Sequence, residues 1–171
     1  MADDIILVDK QDNQIGTGEK MEVHRKGILH RAFSVFVWNK EGQLMMQQRA
    51  KTKYHTPGLW SNTCCSHPKP GETVQQAANR RLQEEMGFTC DLNEEISIIY
   101  HSQFENDLIE HEYDHVLFGH HDGTPIINPE EVHSWKWMSL NELHREVRLK
   151  PEQYTVWFRI IIDRLRNENV I

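Results

Sequence analysis

Three cysteines in 171 residues are too few to staple a fold. Their arrangement also argues against bridges: the count is odd, and Cys64 and Cys65 are neighbours, whereas a disulfide needs properly separated α-carbons. Reduced thiols are expected. No apolar run approaches the ~20 residues of a membrane span, and mean hydropathy is -0.67, so no membrane partner is expected. Positive charge is not in excess either. Nineteen Lys and Arg against 26 Asp and Glu leave a formal charge of -7, which argues against a nucleic-acid partner because phosphate contacts need a basic surface. An anionic small ligand would need a local basic nest. The opening residues Met1-Ala2-Asp3-Asp4 are acidic where a targeting peptide would be basic, and a cytoplasmic location follows. Repeats, linkers and low-complexity tracts are missing as well. A chain of this length suits one domain, residues 1–171, with a core that needs no staples.

The periodicities present predict a mixed α/β unit of α+β type, a sheet with helices packed on it. Ile5 to Val8 is a strand candidate, followed by turn chemistry at Gln11 to Gln14 and a first hairpin. Arg31 to Trp38 is rich in β-formers, Asn39-Lys40-Glu41-Gly42 punctuates it, and Leu44 to Gln48 returns, which predicts a central hairpin. From Glu72 the spacing becomes helical through Val74, Ala77, Ala78, Leu82 and Met86, with Gly87 at the C-cap. Strands are expected over Ile96–Tyr100, Tyr113–Phe118 and Trp135–Met138. Ser139 caps a short helix from Leu140 to Val147, with Glu142 in the capping-box position. Pro151 opens a last helix to about Arg166, with Trp157, Ile161 and Leu165 on one face.

The densest chemistry runs from Trp60-Ser61-Asn62-Thr63-Cys64-Cys65-Ser66-His67-Pro68 into the helix ending Arg80-Arg81-Leu82-Gln83-Glu84-Glu85-Met86-Gly87. A thiol, an imidazole and a carboxylate-rich helix end are the parts of a metal-assisted, proton-moving site. Farther on, strand alternation turns Glu110 and Glu112 to one face and His111 and Tyr113 to the other. Two adjacent carboxylates repel unless a cation or a shared proton intervenes, although the pair alone also fits a solvated acidic edge. Eleven histidines offer partners. His24, His30 and His67 can join the carboxylates around a borderline divalent ion, and spacing alone leaves His55, His101 and His115 open.

The helix resembles a degenerate Nudix box, the signature of enzymes acting on diphosphates, whose usual end reads Arg-Glu-apolar-x-Glu-Glu-x-Gly. Here Arg81 replaces a carboxylate, Glu72 stands at the earlier glutamate position, and Ser66 stands where the box begins with glycine. A guanidinium there removes a metal ligand and adds a diphosphate fork, which favours holding the diphosphate over hydrolysing it. Together with Leu29-His30-Arg31-Ala32-Phe33-Ser34, Asn62 to Pro68 and Glu110-His111-Glu112, this box resembles the type I isopentenyl-diphosphate isomerase family. The likeness runs from about Ile5 to the Trp157 helix.

The resemblance implies a Nudix-like arrangement of mixed β-sheets with flanking helices. It implies an isomerase that interconverts isopentenyl and dimethylallyl diphosphates, small isoprenoid substrates, by a 1,3-proton shift. Cys65 and Glu112 take the proton-handling posts, with Tyr100 beside Glu112. Trp157 offers an aromatic face to a carbocation, though a packed helix tryptophan reads the same way in sequence. His24, His30, His67, Glu110 and Glu112 would hold one ion, Mn2+, Zn2+ or Mg2+, and Glu85 a Mg2+ that bridges the diphosphate. Lys20, Arg49, Lys53 and Arg81 supply the basic nest. Cys64 reads as a small packed residue and Trp60 as wall or core. The rival readings are a Nudix nucleoside-diphosphate hydrolase, indifferent to loss of Cys65, and a metal-stabilised binding module without turnover.

Overall fold

The computed structural model describes residues 3–53, 56–104 and 106–171. The chain begins with a hairpin of β1 (Asp4–Val8) and β2 (Gln14–Glu19), then α1 (Lys20–Lys26), β3 (His30–Trp38) and β4 (Leu44–Arg49). Two short strands, β5 (Trp60–Ser61) and β6 (Cys64–Ser66), precede α2 (Val74–Met86). The second half holds β7 (Asn93–Gln103), β8 (Ile109–His120), β9 (Val132–Met138), α3 (Leu140–Leu149) and α4 (Val156–Asn167). The strands form one mixed sheet with helices on both faces, the architecture expected from the sequence.

Strand β3 organises the sheet. Along one edge it runs parallel to β8, in register from His30 opposite Glu112 to Trp38 opposite His120. Its other edge is shared by β1 at His30, β6 at Phe33–Val35 and β4 at Trp38. The expected central hairpin is therefore corrected: β3 and β4 pair only at Trp38–Leu44, because β6 takes the edge of β3 beyond that point. Strand β4 turns instead to β9 and β5. Other bounds shift too, since β7, β8, β9 and α3 all extend beyond the segments predicted for them. The predicted helix from Pro151 is two elements. Pro151–Gln153 form a single 3-10 turn without a side-chain cap, and Thr155 then caps α4 by accepting the Phe158 N–H at 3.3 Å. Proline presets φ but offers no side-chain acceptor, so the threonine decides where the helix begins.

Two cores sandwich the sheet. On one face Phe36, Met46, Ile98 and Val116 pack against Trp157, Phe158, Ile161 and Leu165 of α4. On the other, Phe33, Val35, Val37 and Leu117 pack against Ala77, Ala78, Leu82 and Met86 of α2. Full burial of each large apolar side chain contributes roughly 1.5–3 kcal/mol, which anchors both helices rigidly. Helix α2 starts one residue after its capping-box Thr73 and stops at Gly87, whose φ is 75°. A Cβ there would lie 2.6 Å from the Ile126 carbonyl oxygen. Glycine thus lets the chain after β8 close over the helix end, where Ile126 N–H bonds Met86 O at 2.9 Å and Asn128 N–H bonds Glu85 O at 3.0 Å. No helix among the described residues is long and apolar enough to cross a membrane.

Candidate active site

Strand register assembles the first half of the site. Glu112 on β8 has His30 opposite it on β3 and Tyr100 opposite it on β7, and the pleat turns Glu110, Glu112 and Asp114 to the same buried face. Helix α1 was absent from the sequence reading because its N-cap is Glu19 rather than a short polar residue. The basic run His24-Arg25-Lys26 before left-handed Gly27 was the available signal. This helix delivers His24, and the segment after β6 delivers His67. Nitrogen and oxygen donors of His24, His30, His67 and Glu112 all lie within 4.8 Å of one another. Glu110 stands outside that set and joins through Tyr100. His101 and His115 are engaged elsewhere, with His111 and with Asp12 and Glu94 respectively. His55 lies outside the described residues.

The tautomers follow from the backbone. His24 Nδ1 is 2.6 Å from Lys20 O and His30 Nδ1 is 2.9 Å from Ile28 O; a carbonyl only accepts, so each Nδ1 carries a proton and each Nε2 is the atom left to serve a metal. The Nε2 of His30 lies 3.2 Å from Glu112 Oε2, and that of His67 lies 3.0 Å from the same oxygen. Burial pushes His67 down to about 3 and lowers His24 as well. Neutral imidazole lone pairs facing a carboxylate oxygen are what a divalent cation requires, and the residues present fit one. Glu110 Oε1, buried without a hydrogen-bond partner among the described residues, is a further acceptor.

The two glutamates differ in charge. Burial and the neighbouring Glu112 push Glu110 well above the usual carboxylate range. Burial also opposes charge on Glu112, but hydrogen bonds from the His30 and His67 rings to its Oε2 outweigh it and hold the carboxyl well below that range, so without a cation these contacts use a ring proton that a metal would displace. Tyr100 Oη lies 2.7 Å from Glu112 Oε1 and 3.1 Å from Glu110 Oε2. One phenolic proton serves one acceptor, so the shorter contact goes to the ionised Glu112, and protonated Glu110 completes the chain by donating to the phenol oxygen.

Across the pocket, β6 pairs Cys65 with Ser34. Trp157 Nε1 donates to Cys65 Sγ at 3.1 Å and to Ser61 Oγ at 3.0 Å. The thiol faces Asn62 Oδ1 at 3.2 Å, and the Asn62 amide is locked by donating to Val35 O and Cys64 O, each at 3.0 Å. Burial and then the Asp114 carboxyl push Cys65 up to about 12, so it is a protonated thiol at neutral pH. Cys64 points the other way and is buried in the α2 core. Trp60 is half-buried with Lys136 Nζ 4.3 Å from its ring centre.

The second half of the site is cationic. Lys20, Arg49, Lys53 and Arg81 line the same pocket as Cys65, Glu85, Glu110, Glu112, Tyr100 and Trp157. Arg49 lies over the Trp157 ring, 5.3 Å from its centre. Burial lowers the Lys20 pKa, and Arg81 and Arg49 add to the effect. Arg81 bonds Glu84 at 2.6 Å and also pairs with Glu85 and Glu131. Glu85 is 4% exposed, whereas Glu84 is open to solvent. Gln47 on β4 donates to Glu85 Oε1 at 2.9 Å and fixes that carboxylate. Glu72 does not reach this set; it forms a double hydrogen bond with Arg80 at 2.8 and 2.9 Å.

Known proteins resemble this chain in sequence and in fold. The NUDIX domain profile matches residues 28–158. An isopentenyl-diphosphate Delta-isomerase 2 of Aromatoleum aromaticum is 52% identical over 96% of this chain and 87% of its own length. One from Photorhabdus laumondii is 51% identical over 99% and 96%. The chain belongs to the isopentenyl-diphosphate Delta-isomerase family of the Nudix superfamily. Its fold also resembles that of DR0079 from Deinococcus radiodurans, with a TM-score of 0.79, 21% identity, and coverage of 94% of this chain and 98% of that one. Nudix enzymes use divalent metals, and the histidine–glutamate cluster of this family member can hold one. Asn62, Ser61, Asp114, Gln47 and Glu131 were missed as site residues in the sequence. Asn62 and Ser61 lay inside the motif already singled out, and Asp114 continues the Glu110, Glu112 alternation, so those three carried a signal. Gln47 and Glu131 carried none.

Proposed function

We propose that this chain interconverts isopentenyl diphosphate and dimethylallyl diphosphate in isoprenoid biosynthesis, as a cytoplasmic enzyme, by adding a proton at the terminal methylene and removing one from C2. The observation that carries the reading is the meeting of Cys65 and Glu112, from separate strands, in one pocket with four cations, where Arg81 stands in place of a hydrolase carboxylate. An isolated alkene is a weak base, so the step needs an acid, a base across the allylic unit, and exclusion of water. Cys65 brings a proton on Sγ. Glu112, ionised and linked through Tyr100 to protonated Glu110, handles the proton opposite. Trp157 is held by Ser61 and Cys65 and lines the pocket, where its ring, which also carries Arg49, would attract a tertiary cation by up to ~2 kcal/mol or more when desolvated.

Lys20, Arg49, Lys53 and Arg81 hold the diphosphate. His24, His30, His67, Glu110 and Glu112 would bind a first divalent ion, Mn2+, Zn2+ or Mg2+, and Glu85 a Mg2+; the chemistry supplied there would be positive charge on the bound oxygens. The hydrolase reading has less support, because the relatives of high identity are named isomerases. Isopentenyl diphosphate supplied with Mg2+ in heavy water should yield dimethylallyl product carrying deuterium. No product, or unchanged turnover after Cys65→Ala, rejects the mechanism.

A further inference from the structure

Glu131 sits in the segment that Gly87 allows to close over the end of α2. Its backbone is pinned from two sides: Glu131 N–H bonds Asn128 O at 2.9 Å, and Ala50 N–H, at the end of β4, bonds Glu131 O at 3.0 Å. Its carboxylate reaches both Lys53 and Arg81, the latter at 3.4 Å. Burial resists its charge, yet Lys53 and Arg81 outweigh burial and hold the carboxyl below its ordinary value. The pocket encloses about 80 Å³, well short of the roughly 300 Å³ at the low end of ligand sites. Side chains must give way for a ligand, and the long, partly exposed Lys53–Glu131 pair is suited to do so.

We propose that Glu131 is a resident counter-anion of the cationic pocket, a specificity-determining residue that admits only ligands charged enough to take Lys53 and Arg81 from it. The inference rests on the diphosphate reading above. A diphosphate can rest one phosphate on Lys20 and Arg49 while the other draws Lys53 and Arg81 from Glu131, whereas a single phosphate on Lys53 and Arg81 meets the whole cost of displacing the carboxylate. A monophosphate competes poorly. The carboxylate thus separates the intended substrate class from abundant single phosphates, a form of specificity by opposition.

Calorimetric titration with inorganic diphosphate and inorganic phosphate, without added Mg2+, tests this. Glu131→Gln keeps the shape and both backbone bonds, and should bind diphosphate about tenfold tighter, a change of ~1.4 kcal/mol. Phosphate binding should gain more, so that the preference for diphosphate narrows. Glu131→Asp, which keeps the charge, and Glu130→Gln, at an exposed neighbour, should retain the original preference. Unchanged or weaker diphosphate binding by Glu131→Gln overturns the proposal, as does a loss seen only when Mg2+ is added, which would make Glu131 a metal ligand. Lys53→Ala separates the two levels. If it leaves wild-type diphosphate affinity untouched, the diphosphate reading itself fails; if it weakens binding while Glu131→Gln gains nothing, only the role of Glu131 falls.

Discussion

The two ends of the pocket solve opposite electrostatic problems. At the strand end, His24, His30, Glu110 and Glu112 are each no more than 5% exposed; burial lowers the His24 pKa and raises that of Glu110, while the histidine rings hold Glu112 ionised against it. At the helix end, Lys53, Arg81, Glu84 and Glu131 keep their charges and cancel them in pairs that solvent still reaches. Buried groups suit proton chemistry because a low dielectric separates their pKa values. Part-exposed pairs suit binding because their partners can be exchanged at modest cost.

Perturbing the buried end should act on turnover. Cys65→Ala or Glu112→Gln is expected to lower kcat by about 10²–10⁴-fold, the range for loss of a positioned acid or base, with KM nearly unmoved in steady-state assays. A comparable rise in KM would erase the contrast. Perturbing the cationic end should act on binding. Lys53→Ala or Arg81→Ala should raise KM on the order of 10–100-fold for loss of a charge-assisted contact, and the deficit against wild type should shrink as salt rises.

Chelation sharpens the same contrast. Removing a divalent ion from the histidine–glutamate cluster leaves lone pairs facing a carboxylate, so the melting temperature should fall by several degrees, on the order of 1–3 kcal/mol of stability. Calorimetry before and after chelation checks this, and the fall should vanish in His30→Ala. The smallest effect concerns pH. The folded thiol of Cys65 titrates at about 12 against an ordinary 9.0, so above pH 9 the unfolded chain releases a proton that the folded one retains. Stability from this group is complete below pH 9 and is lost as pH rises toward 12. Between pH 9 and 10.5, wild type should lose roughly 3–6 °C more in Tm than Cys65→Ala; equal slopes would place the thiol in a less buried setting.

Much of this was legible in the chain. Helix α2 announced itself through Val74, Ala77, Leu82 and Gly87, and strand alternation already placed Glu110 and Glu112 together. Helix α1 was hidden because it has seven residues and an unconventional cap. The central hairpin was overread, since the turn at Asn39–Gly42 is real but the edge of β3 beyond Trp38 goes to β6. Which histidines gather was open among six. The parallel register of β3 and β8 settled it for His30, and no local pattern encodes a pairing between residues 82 positions apart.

By itself, then, the sequence determined the local geometry and the reagents: caps, faces, a thiol beside an imidazole, and an arginine where a hydrolase carries a carboxylate. These depend on neighbours within a few residues, where backbone geometry leaves little choice. Only the tertiary structure decided that Cys65 meets Trp157 and Asn62, that one glutamate is protonated while the other is ionised, and that Glu131 shares the cations. Those outcomes depend on burial and on distances between remote segments, and both are set by which strand edges and helix faces pack together.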